Sequence, residues 1–524
     1  MGYLPRWLRT SFKNQPMNPR VILIHPPVVK PSEPPAGIAR LSSRLSLGGI
    51  EHQLIDANIE GLLYLMRRTA APPRNSGRWD VRAVKNLETN LKSLSRAATY
   101  QNKSFYSRAV SDINHVLSLA GKSCGVSLSL SDYINPGLSP VKSGDLFAAA
   151  ETPEANPFYP YFWDCIRPAV EKSPEFIGFS LNFLSQALCT MAMIGMIKKI
   201  NPRQKIILGG SLTTSWVRTT GRTDLFPGLV EKVIAGPGEE QLAALLGMEN
   251  VKMHKSAVYA QLEKNPYLSP GFILPYSAAA GCWWRKCLFC PENAESSPYL
   301  PLPAEHVTEE LKELAARSKP SLIHLLDSSI SPALLAALAD QPPGAPWYGF
   351  ARVTEHLTDE YFCRALKESG CAMLKLGIES GDQEVLDRMN KGINLKQAAE
   401  ALTALQKAGI AVYCYFLFGT PPENEEKAMK TLDFVIRNAA NISFMNLAVF
   451  NLPAASPEAQ HLAAHDFYEG DLSLYKNFAH PAGWQRGSVR LFLENIFKKH
   501  PVVAPIVRRT PAFFTSNHAP FFSF

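Results

Sequence analysis

The 524-residue chain lacks several patterns that would place it in particular classes of protein. No apolar run reaches the length of a membrane-spanning helix, so we expect no membrane span. Its 54 Lys and Arg residues exceed its 46 Asp and Glu residues by only 8 and are spread along the chain, which argues against a nucleic-acid partner. The basic segment from Met1 to Arg20 has no continuous apolar core, so it does not resemble a signal peptide.

Cysteine usage argues against a disulfide scaffold. The nine cysteines are odd in number and, outside one triplet, irregularly spaced, which is unlike a disulfide framework. Disulfides persist in oxidising compartments, whereas free thiols are typical of the reducing cytoplasm. We therefore predict a cytoplasmic location.

The triplet itself is the strongest chemical signal in the chain. Cys282, Cys287 and Cys290 stand within nine residues, directly after the strand-like stretch Phe272–Ala280. A [4Fe–4S] cluster takes four ligands, so three thiolates would leave one iron open. A structural zinc site would need a fourth close ligand, and the nearest histidines lie outside finger-like spacing. Three buried cysteines without a metal are a further alternative.

The N-terminal half alternates strand-like and helix-like segments with glycines after strands. The predicted strands are Arg20–His25, Gln53–Asp56, Glu175–Ser180, Lys205–Leu208 and Val233–Gly236, and the predicted helices are Gly37–Leu47 and Gln186–Ile200. This rhythm indicates an α/β domain with a doubly wound, Rossmann-like parallel sheet, which binds ligands at the carboxyl ends of its strands. We place a tail at 1–18 and this domain at 19–250, with a helical insertion at about 61–170 that acts as a cap or as a packing element.

A second alternating series follows a predicted linker at 251–270. Its strand candidates are Phe272–Ala278, Leu322–Leu326, Trp347–Ala351, Met373–Ile378, Val412–Phe418 and Phe444–Phe450, and its clearest helices are Ala304–Arg317, Thr358–Glu368, Lys396–Ala408 and Glu425–Arg437. Six such strands predict a partial (β/α)6 barrel at 271–453, two units short of the eightfold barrel. Residues 454–524 would form a C-terminal extension.

Polar and turn residues follow the predicted barrel strands, where such barrels build their active sites. They are the cysteine loop, Asp327, Arg352, Glu379 with Ser380, and Gly419. Asp327 and Arg352 are the catalytic candidates. Asp327 could instead cap the following helix, and Arg352 could pair with Glu379 or bind a carboxylate.

These residues resemble the radical SAM superfamily, and the domain order resembles its subgroup with an N-terminal cobalamin (B12)-binding-like domain. The likeness covers most of residues 20–455, and Phe289 directly before the last cysteine is typical of the family signature. Leu376–Asp382 and Phe416–Glu423 resemble the fourth- and fifth-strand motifs of the subgroup. The first cysteine spacing is four residues where the commonest family pattern has three, and Asp327-Ser328-Ser329 replaces the family's Gly-Gly-Glu segment.

The resemblance implies that the three cysteines ligate a [4Fe–4S] cluster whose free iron binds S-adenosylmethionine (SAM). One-electron cleavage of SAM would give a 5'-deoxyadenosyl radical, and flavodoxin or ferredoxin would be the expected reductant. Phe289 would lie near the adenine, Glu379 or Ser380 near the ribose or methionine, and Gly409 and Gly419 beside the adenine. The position of Gly409 after Ala408 favours a plain helix C-terminal glycine instead.

For the first domain, the family's histidine motif for cobalamin, Asp-x-His-x-x-Gly, does not occur in the chain. The resemblance implies cobalamin without a histidine on its lower face, or a domain that has lost the cofactor. Gly37, Gly209, Gly210 and Gly238 stand in loops that look like those lining such a site. Glycine there allows the backbone to approach a bulky ligand closely.

Other conspicuous residues have structural interpretations. Cys363, Cys371 and Cys414 lie in predicted helix and strand segments and are expected in the core. The C-terminal aromatic segment could close over the barrel and offer His518 or an arginine to substrate, or simply dock on the surface.

The function that the resemblance favours is a cobalamin-dependent methyltransferase that acts on an unactivated centre of a peptide or small molecule. A second candidate is a radical rearrangement or cyclisation without methyl transfer. A third, of another class, is a non-catalytic iron–sulfur electron carrier, which would leave the SAM-like strand motifs unexplained.

Overall fold

The structure, a computed structural model, describes residues 18–69, 77–248 and 257–523. These residues divide into two units: the first runs to Pro270 and includes Glu469–Ser473, and the second comprises Gly271–Tyr468 and Leu474–Phe524. Within these ranges, no helix combines the length and the apolar character needed to cross a bilayer.

The first unit contains a five-stranded parallel sheet. Its strands are β1 (Val21–His25), β2 (His52–Asp56), β3 (Phe176–Ser180), β4 (Lys205–Gly209) and β5 (Lys232–Val233). The order β2-β1-β3-β4-β5 reverses direction between β1 and β3, as in flavodoxin-like doubly wound sheets. Every residue of β1, β2 and β3 is buried, because helices cover both faces. The predicted doubly wound sheet is confirmed.

The helices of this unit follow the predicted alternation and add the insertion. They span Ala36–Leu47, Ala57–Arg68, Arg78–Leu94, Ala97–Tyr100, Lys103–Lys122, Ser143–Glu151, Arg167–Val170, Leu184–Ile200, Ser211–Thr220 and Glu239–Leu245. Gly195 lies where the helix Leu184–Ile200 meets the insertion. Glycine is needed at this position because a Cβ would stand 1.8 Å from the Ala150 carbonyl oxygen. This close contact packs part of the insertion against a helix of the sheet.

The described part of the predicted linker, residues 257–270, packs within the first unit instead of forming a free connection. The side chain of Gln261 accepts a hydrogen bond from the Leu54 backbone at 2.9 Å, and the Tyr267 hydroxyl donates to Asp56 at 2.8 Å. Both contacts fix the segment to strand β2, so residues 257–270 belong to the first unit. Residues 251–256 lie outside the described residues.

The second unit contains a six-stranded parallel sheet. Its strands are β6 (Ile273–Tyr276), β7 (Leu322–Ile330), β8 (Trp347–Ala351), β9 (Cys371–Glu379), β10 (Ala411–Phe418) and β11 (Phe444–Val449). They pair in sequential order, each parallel to the next, as in a (β/α) barrel. The main helices span Ala304–Ser318, Pro332–Asp340, Glu360–Glu368, Gln383–Arg388, Leu395–Lys407, Glu425–Arg437, Arg486–Phe492 and Ala504–Arg509. The predicted six-stranded partial barrel is confirmed.

The inner face of this barrel is filled at its amino-terminal end. Side chains at the strand starts, among them Tyr348, Met373 and Tyr413, form a core with Ala519 and with the partly buried rings of Phe521 and Phe522. The C-terminal segment therefore packs against the end of the strands opposite to the cysteine loop.

His518 belongs to this packed segment. Its imidazole is buried and stacks on the Phe514 ring with centroids 3.9 Å apart. A role of His518 in contacting substrate at the cysteine end of the barrel is therefore wrong. Cys363, Cys371 and Cys414 are buried as predicted.

Replacing Phe514 with Ala should destabilise the second unit by about 3–5 kcal/mol, because the fully buried ring leaves a cavity. Urea unfolding followed by tryptophan fluorescence would measure the loss. The matched variant Phe105→Ala removes a ring that is 41% exposed and should change stability little. Equal effects of the two variants would contradict a core role for the C-terminal segment.

Candidate active site

The cysteine loop begins directly after β6 with a turn that requires glycine. Gly281 has a φ of +75°, and a Cβ there would lie 2.2 Å from the Pro298 carbonyl oxygen. Cys287 is buried, whereas Cys282 and Cys290 are partly exposed. The three cysteines of the loop therefore differ in exposure.

Burial opposes ionisation of the Cys287 and Cys290 thiols. It raises the pKa of Cys290 to about 11 and also raises that of Cys287, against the opposing effect of the nearby cations Lys391 and Arg352. Because thiolate is the metal-binding form of cysteine, a bound cation would offset this cost.

Strand β7 holds the base of the loop. The buried carboxylate of Asp327 accepts a hydrogen bond from the Ala278 backbone at 3.1 Å. The helix-cap alternative for Asp327 is wrong, because the Ser331 hydroxyl caps the following helix at Leu334, 3.2 Å away. Since the Asp327 carboxylate points to the loop backbone, the structure favours a positioning role over a catalytic one.

The two serines after Asp327 extend this support. Ser329 accepts a hydrogen bond from the Trp283 indole at 3.1 Å, and Ser328 donates to the Glu292 carboxylate at 2.5 Å. The residues that replace the family's Gly-Gly-Glu therefore contact both ends of the cysteine loop.

A second contact holds the far side of the loop. We call Met389–Gly392, which follows the helix after β9, the latch segment. Backbone Leu288 donates to the Met389 carbonyl at 3.0 Å, and the Trp284 indole donates to the Asn390 carbonyl at 3.2 Å. Gly392 has a φ of +66°, and a Cβ there would lie 2.1 Å from the Trp284 ring. Glycine is needed for this close packing.

Arg352 links the latch segment to a cysteine. Its guanidinium is buried, donates to the Lys391 carbonyl and, at 3.4 Å, to the Gly392 carbonyl, and lies 4.2 Å over the Trp284 ring. Its Nη1 lies 3.8 Å from the Cys287 sulfur, within hydrogen-bond distance for a sulfur acceptor. Burial lowers the pKa of Arg352, although an arginine remains charged at neutral pH.

Glu379 pairs with a lysine that sequence reasoning missed. Lys391 Nζ lies 2.8 Å from the Glu379 carboxylate, and the two side chains are 7% and 13% exposed. The alternative pairing of Arg352 with Glu379 is therefore wrong. Lys391 also lies 5.5 Å from the centre of the Phe289 ring, so Phe289, Lys391 and Glu379 are brought together. A Cβ at Gly377 would stand 2.3 Å from Glu379 Oε1, which explains the glycine two residues earlier.

Two residues predicted to touch SAM are placed elsewhere. The buried Ser380 hydroxyl accepts from the Asp382 backbone at 3.1 Å and lies 3.4 Å from the Thr431 hydroxyl, so it serves the turn after β9. Gly409 lies before β10, at the amino-terminal end of the strand, with a φ of +75° that is typical of a helix C-terminal glycine. These positions contradict a cofactor role for either residue.

Gly419, after β10, forms a turn that is fixed by a buried carboxylate. Glu423 accepts hydrogen bonds from the Gly419 backbone and, at 3.1 Å, from the Trp484 indole. Burial raises the pKa of Glu423 to about 7. His480 Nδ1 accepts from the Trp484 backbone, so its Nε2 donates to the Thr420 carbonyl at 2.9 Å. The C-terminal extension is thereby joined to the predicted SAM-side turn.

In the first unit, the predicted glycines gather at the carboxyl edge of the sheet. A Cβ at Gly37 would stand 3.3 Å from the Ser180 hydroxyl at the end of β3. Gly209 ends β4, and Gly210 has a φ of +105° with its Cα against the Leu181 backbone. Gly238 precedes the helix Glu239–Leu245.

Asn182 connects two of these loops. Its side chain donates to the Ser180 carbonyl at 2.9 Å and accepts from the Ser211 backbone at 3.0 Å. The ends of β3 and β4 are therefore held in a fixed relation beside the point where the strand order reverses. Such a switch point is the usual ligand crevice of a doubly wound sheet.

Residues 276–435 match the radical SAM superfamily. They are a radical SAM domain. This domain includes the cysteine loop, the latch segment and Glu379, so the predicted membership of the superfamily is confirmed.

Curated relatives match this chain in part. The bacteriochlorophyllide d C-12(1)-methyltransferase of Chlorobaculum tepidum is 36% identical over 80 residues, which are 15% of this chain and 18% of that protein. An uncharacterized methyltransferase of Pyrococcus horikoshii is 23% identical over 313 residues, or 52% of this chain and 66% of that protein. The chain thus spans less than two thirds of the length of each of these two relatives.

Two solved structures share the fold of this chain. TsrM from Kitasatospora setae, a radical S-adenosylmethionine methyltransferase with cobalamin and a [4Fe–4S] cluster bound, matches 90% of this chain and 85% of its own with a TM-score of 0.53 and 15% identity. OxsB, a cobalamin-dependent S-adenosylmethionine radical enzyme, matches 91% of this chain and 66% of its own with a TM-score of 0.58 and 13% identity. The predicted two-part fold is confirmed.

The Glu379–Lys391 pair should be strongly coupled. Lys391→Met should destabilise the apoprotein by about 3–5 kcal/mol, because it leaves a buried carboxylate unpaired. Combining it with Glu379→Gln should recover part of that loss. Urea unfolding of wild type, both single variants and the double variant would give the coupling energy. If the stability losses of the two single variants simply add in the double variant, the expected coupling between Glu379 and Lys391 is contradicted.

Stability should depend on pH through Glu423. Burial raises its folded pKa from 4.5 to about 7, so the folded protein keeps a proton that the unfolded chain loses. The resulting stabilisation is present below pH 4.5 and is lost as the pH rises through about 7. The unfolding free energy of Glu423→Gln relative to wild type should therefore increase over this range in urea titrations. The exposed Glu309→Gln is the control, and parallel pH profiles of E423Q and wild type would contradict the prediction.

Proposed function

We propose that this protein is a cobalamin-dependent radical SAM methyltransferase that acts on an unactivated centre of a peptide or small molecule. The observation that carries the proposal is the presence in one chain of a radical SAM domain and a doubly wound sheet unit, in a fold shared with cobalamin-dependent radical SAM enzymes. The two methyltransferase relatives support methyl transfer as the reaction.

The donor set fits a [4Fe–4S] cluster. Cys282, Cys287 and Cys290 lie on one loop at the carboxyl end of β6, two of them partly exposed. Across the described ranges, no three Cys, His, Asp or Glu side chains converge as ligands of a single metal ion. A cluster has different geometry, because each thiolate binds a different iron. We propose these three residues as its ligands.

The side chains next to the loop would hold SAM. With a reduced cluster, bound SAM supplies radical chemistry to an otherwise unreactive substrate. We propose that Phe289 and the turn at Gly419 contact the adenine and that Glu379 contacts the ribose or methionine. The Lys391 ammonium fixes the Glu379 carboxylate, so a SAM hydroxyl or amino group would meet an acceptor that is already oriented.

The carboxyl edge of the first unit would hold cobalamin. We propose that the loops of Gly37, Gly209, Gly210 and Gly238 line its site, because glycine lets the backbone approach a bulky ligand closely. His25, the last residue of β1, is buried with its Nδ1 unpartnered, which leaves a polar atom at this edge.

A radical reaction without methyl transfer is the second candidate. The fold shared with OxsB, a cobalamin-dependent S-adenosylmethionine radical enzyme, supports this second candidate. In either case we propose a flavodoxin or ferredoxin as electron donor and a cytoplasmic location.

The test is anaerobic reconstitution of the full chain with iron, sulfide and cobalamin, followed by absorption and electron paramagnetic resonance (EPR) spectra with SAM and a strong reductant. We expect a [4Fe–4S] signal that SAM changes, formation of 5'-deoxyadenosine, and retained cobalamin. Replacing any of Cys282, Cys287 or Cys290 with Ala should abolish the signal, whereas the buried Cys414→Ala should keep it. Absence of a cluster in the wild type would exclude both candidates.

Cobalamin retention separates the two candidates. Gly37→Val should lower cobalamin retention without changing the cluster signal, because the added side chain would crowd the Ser180 hydroxyl at the proposed cobalamin edge. Gly144→Val adds the same bulk in the same unit, where a Cβ meets no atom within 4 Å, and should have no effect. Cluster activity without retained cobalamin in the wild type would favour the radical reaction without methyl transfer.

A further inference from the structure

Arg352 is committed to the cysteine loop by three sets of contacts. One nitrogen of its guanidinium donates to the latch carbonyls of Lys391 and Gly392, and its face lies on the Trp284 ring. These contacts leave the other terminal nitrogen 3.8 Å from the sulfur of Cys287. The orientation of the group is therefore set by residues other than the cysteine.

The environment strengthens this interaction. Arg352 and Cys287 are 7% and 9% exposed, so water screens their attraction little. Guanidinium keeps its charge even when buried, and its planar fork can serve the carbonyls and the sulfur at once. A lysine ammonium is a point charge that cannot reproduce all of these contacts.

We infer that Arg352 is a positioning residue that donates an N–H···S hydrogen bond to the Cys287 thiolate and thereby raises the reduction potential of the cluster. The inference rests on the cluster assignment proposed above. Reduction adds one negative charge to the cluster, and a buried cation with a hydrogen bond to a ligand sulfur stabilises that charge. Hydrogen bonds to the sulfurs and burial are among the factors that set iron–sulfur potentials.

The test is a redox titration of the reconstituted enzyme, monitored by EPR without SAM. Arg352→Gln should shift the midpoint potential downward by about 59 mV or more, the one-electron equivalent of a tenfold change in the equilibrium constant. Because SAM is absent, a role of Arg352 in binding a SAM carboxylate would not move this readout. Arg364→Gln, which replaces an exposed arginine stacked on Tyr361, is the matched control and should keep the wild-type potential.

Arg352→Lys separates charge from hydrogen-bond geometry. We expect a potential between those of wild type and R352Q, because the charge remains and the fork is lost. A wild-type potential in R352K would overturn the hydrogen-bond assignment, and a wild-type potential in loaded R352Q would overturn the inference altogether. A wild type that forms no cluster would instead refute the proposed function.

A measurement on the unmutated protein covers the case in which the variants fail to load. In wild-type protein labelled with ¹⁵N only at arginine, pulsed EPR of the reduced cluster should show a weak ¹⁵N coupling. Absence of that coupling would contradict the hydrogen bond to Cys287.

Discussion

The contact between the cysteine loop and the latch segment is the constraint on which the candidate site depends. The loop from Gly281 to Cys290 contains no long helix or strand that could fix its shape from within. Its geometry is set from outside, by β7 at its base and by Met389–Gly392 at its far side. Arg352 contacts Cys287, and Lys391 belongs to the latch segment and pairs with Glu379. The positive charges near Cys287 therefore depend on the contact between the loop and the latch segment.

The inner face of the barrel is packed differently at its two ends. At the strand starts, aromatic rings and the C-terminal segment form a closed core. Towards the strand ends, the side chains of Leu417 and Asn446 are partly accessible. Radical chemistry needs a site that positions its cofactors and excludes side reactions. The closed core at the strand starts gives the loops at the strand ends a fixed support.

Much of this arrangement could be predicted from the sequence, for a physical reason. Strand and helix periodicity is local, and a parallel α/β fold places strand carboxyl ends together, so the cysteine loop, Arg352 and Glu379 could be placed on one side of the sheet. The partner of Glu379 could not be found in this way. Lys391 lies in an irregular turn, and the only local signal there was the glycine at position 392.

The wrong expectations share a cause. Ser380 and Gly409 were assigned by their place in a motif or beside a strand, which does not say which way a hydroxyl points or at which strand end a glycine lies. The capping alternative for Asp327 rests on local sequence, but its carboxylate accepts a hydrogen bond from the backbone of Ala278, 49 residues earlier. Contacts between segments that are distant in the sequence produce no periodic pattern of residues.

The latch segment holds the cysteine loop through its own carbonyl oxygens, at Met389, Asn390, Lys391 and Gly392. Every amino acid carries such an oxygen, so these hydrogen bonds do not themselves select the side chains at positions 389 and 390, which are constrained instead by the burial of Met389 and by the φ of +50° at Asn390. The glycine at 392 and the lysine at 391 are constrained by close packing against the Trp284 ring and by the ion pair with Glu379. The segment that supports the cysteine loop is therefore specified by burial, turn conformation, close packing and one ion pair rather than by a side-chain motif.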